Sequence, residues 1–149
     1  MSIKIEQSVV LGSPVEDVWA FMDNLDNYPL FTPGLAEMRQ TTPGPRQVGS
    51  QIVWIYQFLG QQFEVTLEVT EYQPPNRFAA NISAGPVQMR GTWDYAPLDA
   101  RATTLRCTLE GETAGVFKLA DPLVARAMER QMAASYGTLK DLLEARVKA

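Results

Sequence analysis

Residues 62–72 read QFEVTLEVTEY and decide the fold class of this 149-residue chain. Apolar and polar side chains alternate along them, which is the period of a β-strand with one buried face. Similar segments lie on both sides, separated by turns rich in proline and glycine. The predicted strands, about seven in all, are residues 3–11, 35–42, 49–59, 62–72, 77–84, 87–95 and 103–112. Short strands joined by tight turns are typical of an antiparallel meander.

Two short helices are predicted between the first and second strands. The segment Ser13-Pro14-Val15-Glu16 predicts a helix start with a serine N-cap, a proline at the first helical position and a glutamate that completes a capping box. Apolar residues at 15, 18, 19 and 22 then follow helical spacing. A second short turn is predicted over residues 25–28, before prolines and a glycine end it.

A long helix is predicted at the C-terminus. Asp121 suits the N-cap, Pro122 suits the first helical position, and a helix of about 26 residues would be about 39 Å long. Its glycine, Gly137, predicts close backbone packing. No other predicted element is large enough to cover the apolar face of the sheet. We therefore expect one α+β domain over residues 1–149, in which a curved antiparallel sheet grips this helix around an apolar cavity.

The apolar stripe of this helix is defined by residues recurring at helical spacing. Its members are Leu123, Ala127, Met128, Met132, Ser135, Tyr136, Leu139, Leu142 and Leu143.

The composition excludes several kinds of chemistry. The chain has no histidine, which rules out Ser-His-Asp and Cys-His nucleophilic machinery and zinc sites with imidazole ligands. The acidic residues near the first helix lack the spacing of a calcium site, and we expect neither a metal nor a cofactor. The lone cysteine, Cys107, lies between leucines in a strand pattern and is expected to be a small core residue.

Charge and hydropathy restrict the partners. The net charge is −4 and no basic run is present, which argues against nucleic acid and against an anionic membrane surface. No apolar run approaches the roughly 18 residues of a membrane span, so no stable membrane insertion is expected. Because the N-terminus lacks the features of a secretory signal, a cytoplasmic protein is expected. We expect a monomer or a weak homodimer.

The order and spacing of several motifs resemble the START-like superfamily, and most closely its polyketide cyclase/dehydrase and lipid-transport branch. The motifs are Ser13-Pro14-x-Glu16-x-Val18-Trp19, Asp26-x-Tyr28-Pro29-x-x-x-Pro33-Gly34, Gly91-Thr92-Trp93, Thr103-Thr104-Leu105 and the long final helix. The resemblance covers nearly the whole chain. It implies a helix-grip fold with a deep cavity for hydrophobic ligands, as in lipid and quinone carriers, hormone-binding proteins and aromatase/cyclases.

Alternation along the strands predicts which side chains face the cavity. This inward set has almost no ionisable group apart from tyrosines, and its polar atoms are tyrosine hydroxyls and indole N–H groups. The same pattern is typical of plain core packing, so both interpretations stay open. Arg90 and Arg106 fall on the opposite face, where cross-strand ion pairs are expected. The predicted ligand-binding residues are Trp54, Tyr56, Phe58, Phe63, Leu67, Phe78, Met89, Trp93, Tyr95, Met128, Met132 and Tyr136.

Three functions fit these observations. The first is a carrier or sensor that binds a lipid, isoprenoid, quinone or polyketide-like aromatic compound. The second, implied by the family resemblance, is a cofactor-independent cyclase or dehydratase in which Tyr56, Tyr95 or Tyr136 donates a proton. The third is a regulatory module that binds a partner protein through an open apolar groove.

Overall fold

Seven antiparallel strands are present among the residues that the structure describes, and they form one sheet in the order β1-β7-β6-β5-β4-β3-β2. Each strand pairs with its neighbour in the chain except β1, which pairs with β7. The prediction of an antiparallel meander of about seven strands is confirmed. The bounds are β1 Ser2–Leu11, β2 Leu35–Gln40, β3 Gln51–Phe58, β4 Gln61–Gln73, β5 Arg77–Ala84, β6 Val87–Asp99 and β7 Ala102–Glu112.

A computed structural model of the chain describes the backbone of residues 2–58, 60–84, 87–112 and 121–148. Within those ranges, some side chains are not described, namely those of residues 2, 3, 58, 61, 84, 87, 112, 121–125, 127, 128 and 146–148. Among the described residues, no helix combines the length and the apolar character needed to cross a membrane.

Two short helices follow β1, as predicted, but the start of the first one differs. Helix α1 spans Val15–Asp23 with Pro14 at the N-cap and without a side-chain capping bond, and a 3₁₀ helix spans Leu25–Leu30. The predicted capping box of Ser13 and Glu16 is therefore wrong. Ser13 is buried instead, and its carbonyl accepts a hydrogen bond of 2.8 Å from Thr103 Oγ1 of β7. The start of α1 is thus fixed to the sheet.

The C-terminal helix α2 spans Asp121–Lys148 and packs against the concave face of the sheet. Tyr136, Leu139 and Leu143 are buried in the same core cluster as the inward residues of the strands. Near the middle of β1, Gln7 Nε2 donates to the carbonyl of Glu129 at 3.5 Å. This is the arrangement of a sheet gripping one long helix that the apolar stripe predicts. The stripe residues Leu123, Ala127 and Met128 have side chains outside the described part.

A β-bulge in β4 changes which side chains face α2. The register between β4 and β5 shifts between Val69 and Glu71, so that Tyr72 pairs with Phe78 on the concave side. Strict alternation from Val69 would place Tyr72 on the outer face, so the bulge brings it inside and turns Glu71 outward. On the outer face, Glu71 accepts from Arg77 at 3.3 Å and from Arg90 at 3.2 Å.

The outer face matches its prediction. Arg90 and Arg106 are exposed there, and Arg106 lies 3.8 Å from Glu6 across the β1–β7 pair. Exposed ion pairs of this kind contribute about 0–1 kcal/mol each, so they do not determine the fold.

Two glycines occupy opposite environments. A Cβ atom at Gly91 in β6 would lie 2.6 Å from the Trp93 ring and 2.9 Å from Ile82 Cδ1, because the Trp93 indole lies over this glycine. At Gly137 in α2, a Cβ atom would meet nothing within 4 Å. The expectation of close packing at Gly137 is therefore wrong, and the close approach occurs at Gly91.

We expect Gly91→Ala and Gly137→Ala to change stability in opposite directions. The first overpacks the concave face and should lower the free energy of unfolding by about 1–3 kcal/mol. The second replaces an exposed helix glycine and should raise it by up to about 1 kcal/mol. Urea denaturation measures both, and equal effects of the two substitutions would contradict this packing.

Candidate functional site

The concave face is tightly closed over much of its area. The described inward side chains in this part are fully or almost fully buried, and they form one continuous core with α1 and α2. They include Ile5, Ile52, Leu67, Val69, Ala80, Leu105, Cys107 and Leu109. These side chains pack against each other, so a ligand site has to be sought at the margins of this core.

The closure is incomplete near the β3–β4 hairpin. Phe63 lies directly opposite Tyr56 on the concave side, yet its side chain is 47% exposed. Trp54 and Tyr56 are only partly buried. The prediction that Phe63 lies on the concave side of the sheet is thus confirmed. The prediction that its side chain is enclosed in the interior is wrong. Trp54, Tyr56 and Phe63 are called the aromatic end of the concave face.

Trp54 carries a polar atom that the protein leaves unused. Its Nε1–H is buried and has no hydrogen-bond acceptor among the described residues. The indole packs edge-to-face with Tyr56, with ring centroids 6.2 Å apart at an interplanar angle of 81°. Burial raises the pKa of Tyr56 to about 12, so its hydroxyl stays protonated at neutral pH. The aromatic end therefore offers two neutral hydrogen-bond donors set in apolar surface.

An open cleft of about 430 Å³ adjoins the aromatic end. It lies between residues 29–36, Gln57 of β3 and Thr138 of α2. Leu35, one of its lining residues, is buried and is the cross-strand partner of Tyr56. The volume falls within the range of small-molecule sites, which is roughly 300–1,000 Å³. The cleft thus gives the aromatic end a neighbouring surface on which a ligand could extend.

A polar cluster closes the opposite end of the concave face. Arg46, from the loop between β2 and β3, donates from Nη1 to the carbonyl of Asp23 at 2.6 Å and also reaches the Asp23 carboxylate. Tyr72 Oη donates to Asp23 Oδ1 at 3.1 Å. The Trp19 indole in turn donates to the Tyr72 hydroxyl. These four residues form the Arg46 cluster.

Beside the Arg46 cluster is a cavity of only about 20 Å³, which has room for about one water molecule. The cluster was missed from the sequence because Arg46 lies in a turn-rich loop and Tyr72 faces inward only through the bulge. Its side chains use most of their polar atoms on one another, so it joins the loop and α1 to β4.

The other predicted tyrosines lie deeper. Tyr95 and Tyr136 are buried, and burial raises the pKa of both. Tyr136 donates a hydrogen bond to Cys107, whose own pKa is raised by burial to about 12. The prediction that Cys107 is a core residue is confirmed by its burial. The Tyr136–Cys107 contact joins α2 to β7.

The described members of the predicted ligand-binding set therefore fall into two groups, those at the aromatic end and those in the packed core. Trp54, Tyr56 and Phe63 are brought together at the aromatic end, whereas the other described members contribute mainly to packing. The rings of Phe78 and Trp93 contact each other in a tilted arrangement, with centroids 5.3 Å apart and an interplanar angle of 55°. Leu67 is fully buried, and Met89 and Met132 are partly buried against the core. The side chains of Phe58 and Met128 lie outside the described part, and binding by any of these residues stays a prediction.

The chain is similar to known proteins in family and in fold. Residues 2–144 match the family described as Polyketide cyclase / dehydrase and lipid transport, so the chain belongs to this family. No curated protein sequence matches it.

Solved structures share the whole architecture. The Zhui aromatase/cyclase from Streptomyces sp. R1128 has 21% identity and a TM-score of 0.82, with 100% of this chain and 98% of that chain covered. A START superfamily protein from Mycobacterium smegmatis has 14% identity and a TM-score of 0.79, with 95% of this chain and 97% of that chain covered. At these identities the similarity establishes the helix-grip fold and leaves the ligand open.

The raised pKa values predict a loss of stability at alkaline pH. The folded state holds the protons of Cys107 and Tyr56 to about pH 12, whereas the unfolded chain releases them near pH 8.5 and pH 10. Their stabilisation is therefore complete below those unfolded values and is lost as the pH rises. We expect the free energy of unfolding to fall between pH 8.5 and pH 10.5, by about 2–3 kcal/mol from Cys107 alone.

Urea denaturation at several pH values measures this loss, with Cys107→Ala as the control. The alkaline decrease should be smaller in the variant, because the thiol no longer titrates. An identical pH dependence in both proteins would contradict the assignment of Cys107 to the dry interior.

Proposed function

We propose that this protein binds a hydrophobic small molecule at the aromatic end of its concave face, as a carrier or sensor. The observation that carries the proposal is the partial exposure of Trp54, Tyr56 and Phe63 beside an otherwise closed core. Phe63 is 47% exposed on the face that the fold uses for its interior. A ligand that covers these rings removes apolar surface from water, at roughly 25 cal/mol per Å².

The cleft and the family support this proposal. The cleft of about 430 Å³ adjoins Tyr56 through Leu35, so a ligand larger than one ring system has a surface to occupy. The family description includes lipid transport, and the similar Zhui structure is an aromatase/cyclase. Lipids, isoprenoids, quinones and polyketide-like aromatic compounds are the ligand classes that agree with both.

A binding screen with Phe63→Ser tests the proposal. Farnesol, oleate and menadione represent three of the ligand classes, and we expect at least one to bind in isothermal titration calorimetry. Because the substitution removes an exposed ring, it should spare the fold and weaken that binding about fivefold.

Leu98→Ser serves as the matched control, because Leu98 is 60% exposed and lies near the β6–β7 turn at the other end of the sheet. It should leave the affinity unchanged. Equal losses in both variants, or no binding by any compound of the panel, would count against the proposal.

A second candidate function is cyclase- or dehydratase-type catalysis, which the aromatase/cyclase similarity favours. Tyr56 is the one predicted proton donor located at the aromatic end, whereas Tyr136 already donates to Cys107. Burial raises the pKa of Tyr56 and so keeps its hydroxyl protonated, as a proton donor requires. If the protein turns over a poly-β-keto substrate, Tyr56→Phe should lower kcat by at least about a hundredfold, and unchanged turnover would exclude this role.

A further inference from the structure

The inward positions of the sheet carry no charged side chain among the described residues of the seven strands. Cross-strand pairing places the lysine and arginine residues of these strands outward, as with Arg90 beside Glu71. A carboxylate bound at the aromatic end would therefore find no cation on the sheet to compensate its charge, and an uncompensated buried charge is costly.

Most inward polar groups of the described strands already have partners. Gln7 donates to the backbone of α2, Tyr72 donates to Asp23, and Cys107 accepts from Tyr136. Trp54 Nε1 differs, because it is buried without an acceptor among the residues that the structure describes. The two other such atoms, Arg46 Nε and Thr70 Oγ1, belong to the β2–β3 loop and to the bulge of β4.

An unpaired buried N–H group favours a ligand that brings an acceptor. Trp54 Nε1 is closed to water in the free protein, so a ligand reaches it only by displacing the side chains that cover it. A carbonyl, ether or hydroxyl oxygen would then accept its hydrogen bond, whereas a hydrocarbon would leave it unpaired. The group is a donor only, so an amine or other obligate donor gains nothing from it. Neutral oxygen acceptors on an apolar frame therefore fit this end best.

We propose that Trp54 is the specificity-determining residue of the site, selecting neutral apolar molecules with a ketone- or quinone-type oxygen over hydrocarbons, while the lack of an inward cation on the described strands disfavours carboxylates. This inference rests on the proposed function, because it requires that a ligand occupies the aromatic end.

Three naphthalenes of matched shape test it. These are 2-acetylnaphthalene, 2-isopropylnaphthalene and 2-naphthoate, which differ in presenting a ketone, a hydrocarbon or a carboxylate. Their dissociation constants are measured for the wild-type protein and for Trp54→Phe. We expect the ratio of ketone to hydrocarbon affinity to fall about tenfold in Trp54→Phe. We expect 2-naphthoate to bind the wild type at least about tenfold more weakly than the ketone.

Trp19→Phe is the matched control, because the Trp19 indole already donates to Tyr72. It should leave the ratio of affinities unchanged. A measurement on the wild type avoids any effect of the substitutions on folding: in the ¹H–¹⁵N spectrum, the Trp54 indole proton should lie further downfield with the ketone than with the hydrocarbon, because the two naphthalene rings contribute similar ring-current shifts and only the ketone accepts a hydrogen bond.

The outcomes separate the two proposals. Binding with an unchanged ratio in Trp54→Phe, or equal shifts of the Trp54 indole proton with the ketone and with the hydrocarbon, overturns the role of Trp54 and leaves the proposed function intact. Tight binding of 2-naphthoate overturns the exclusion of carboxylates. Failure of these three compounds to bind while farnesol or menadione binds overturns the role of Trp54 alone. Failure of all six compounds contradicts the proposed function, and the role of Trp54 falls with it.

Discussion

The contact between the C-terminal half of α2 and the concave face is the constraint on which the other features depend. Tyr136, Leu139 and Leu143 are buried there, and the Tyr136 hydroxyl donates to Cys107 of β7. This contact closes the core around Cys107 and Leu105. Because these residues pack so closely, a ligand has to use partly covered side chains at the margins of the core, and those near the β3–β4 hairpin include the most exposed inward ring, Phe63.

The bulge in β4 is the second feature that determines the structure, because one shift in register changes which side chains lie on each face of the sheet. It turns Tyr72 inward, where its hydroxyl reaches Asp23 and connects β4 to α1 and to the β2–β3 loop. It turns Glu71 outward, where the carboxylate contacts Arg77 and Arg90. The bulge thereby adds Tyr72 to the Arg46 cluster, at the end of the concave face away from Trp54.

Much of the fold could be predicted because alternation and helical periodicity are strong signals in strands β3–β7 and in α2. The bulge was not predicted, because a glutamate at an inward position, Glu71, followed by a tyrosine at an outward one does not distinguish a bulge from the end of the buried face of the strand. Arg46 was missed for a related reason: a loop residue has no periodicity that assigns it a face. For the site, the face of Phe63 followed from its position, but its exposure depends on how much of the sheet the other elements cover.

The central claim is that the partly exposed aromatic end, rather than the closed core or the Arg46 cluster, holds the ligand. A crystal structure of the complex with 2-acetylnaphthalene tests it most directly. We expect the naphthalene to lie against Trp54, Tyr56 and Phe63, with the ketone oxygen within about 3 Å of Trp54 Nε1. A ligand enclosed between Tyr28 and Tyr95 beside the Arg46 cluster, with the aromatic end unchanged, would contradict it.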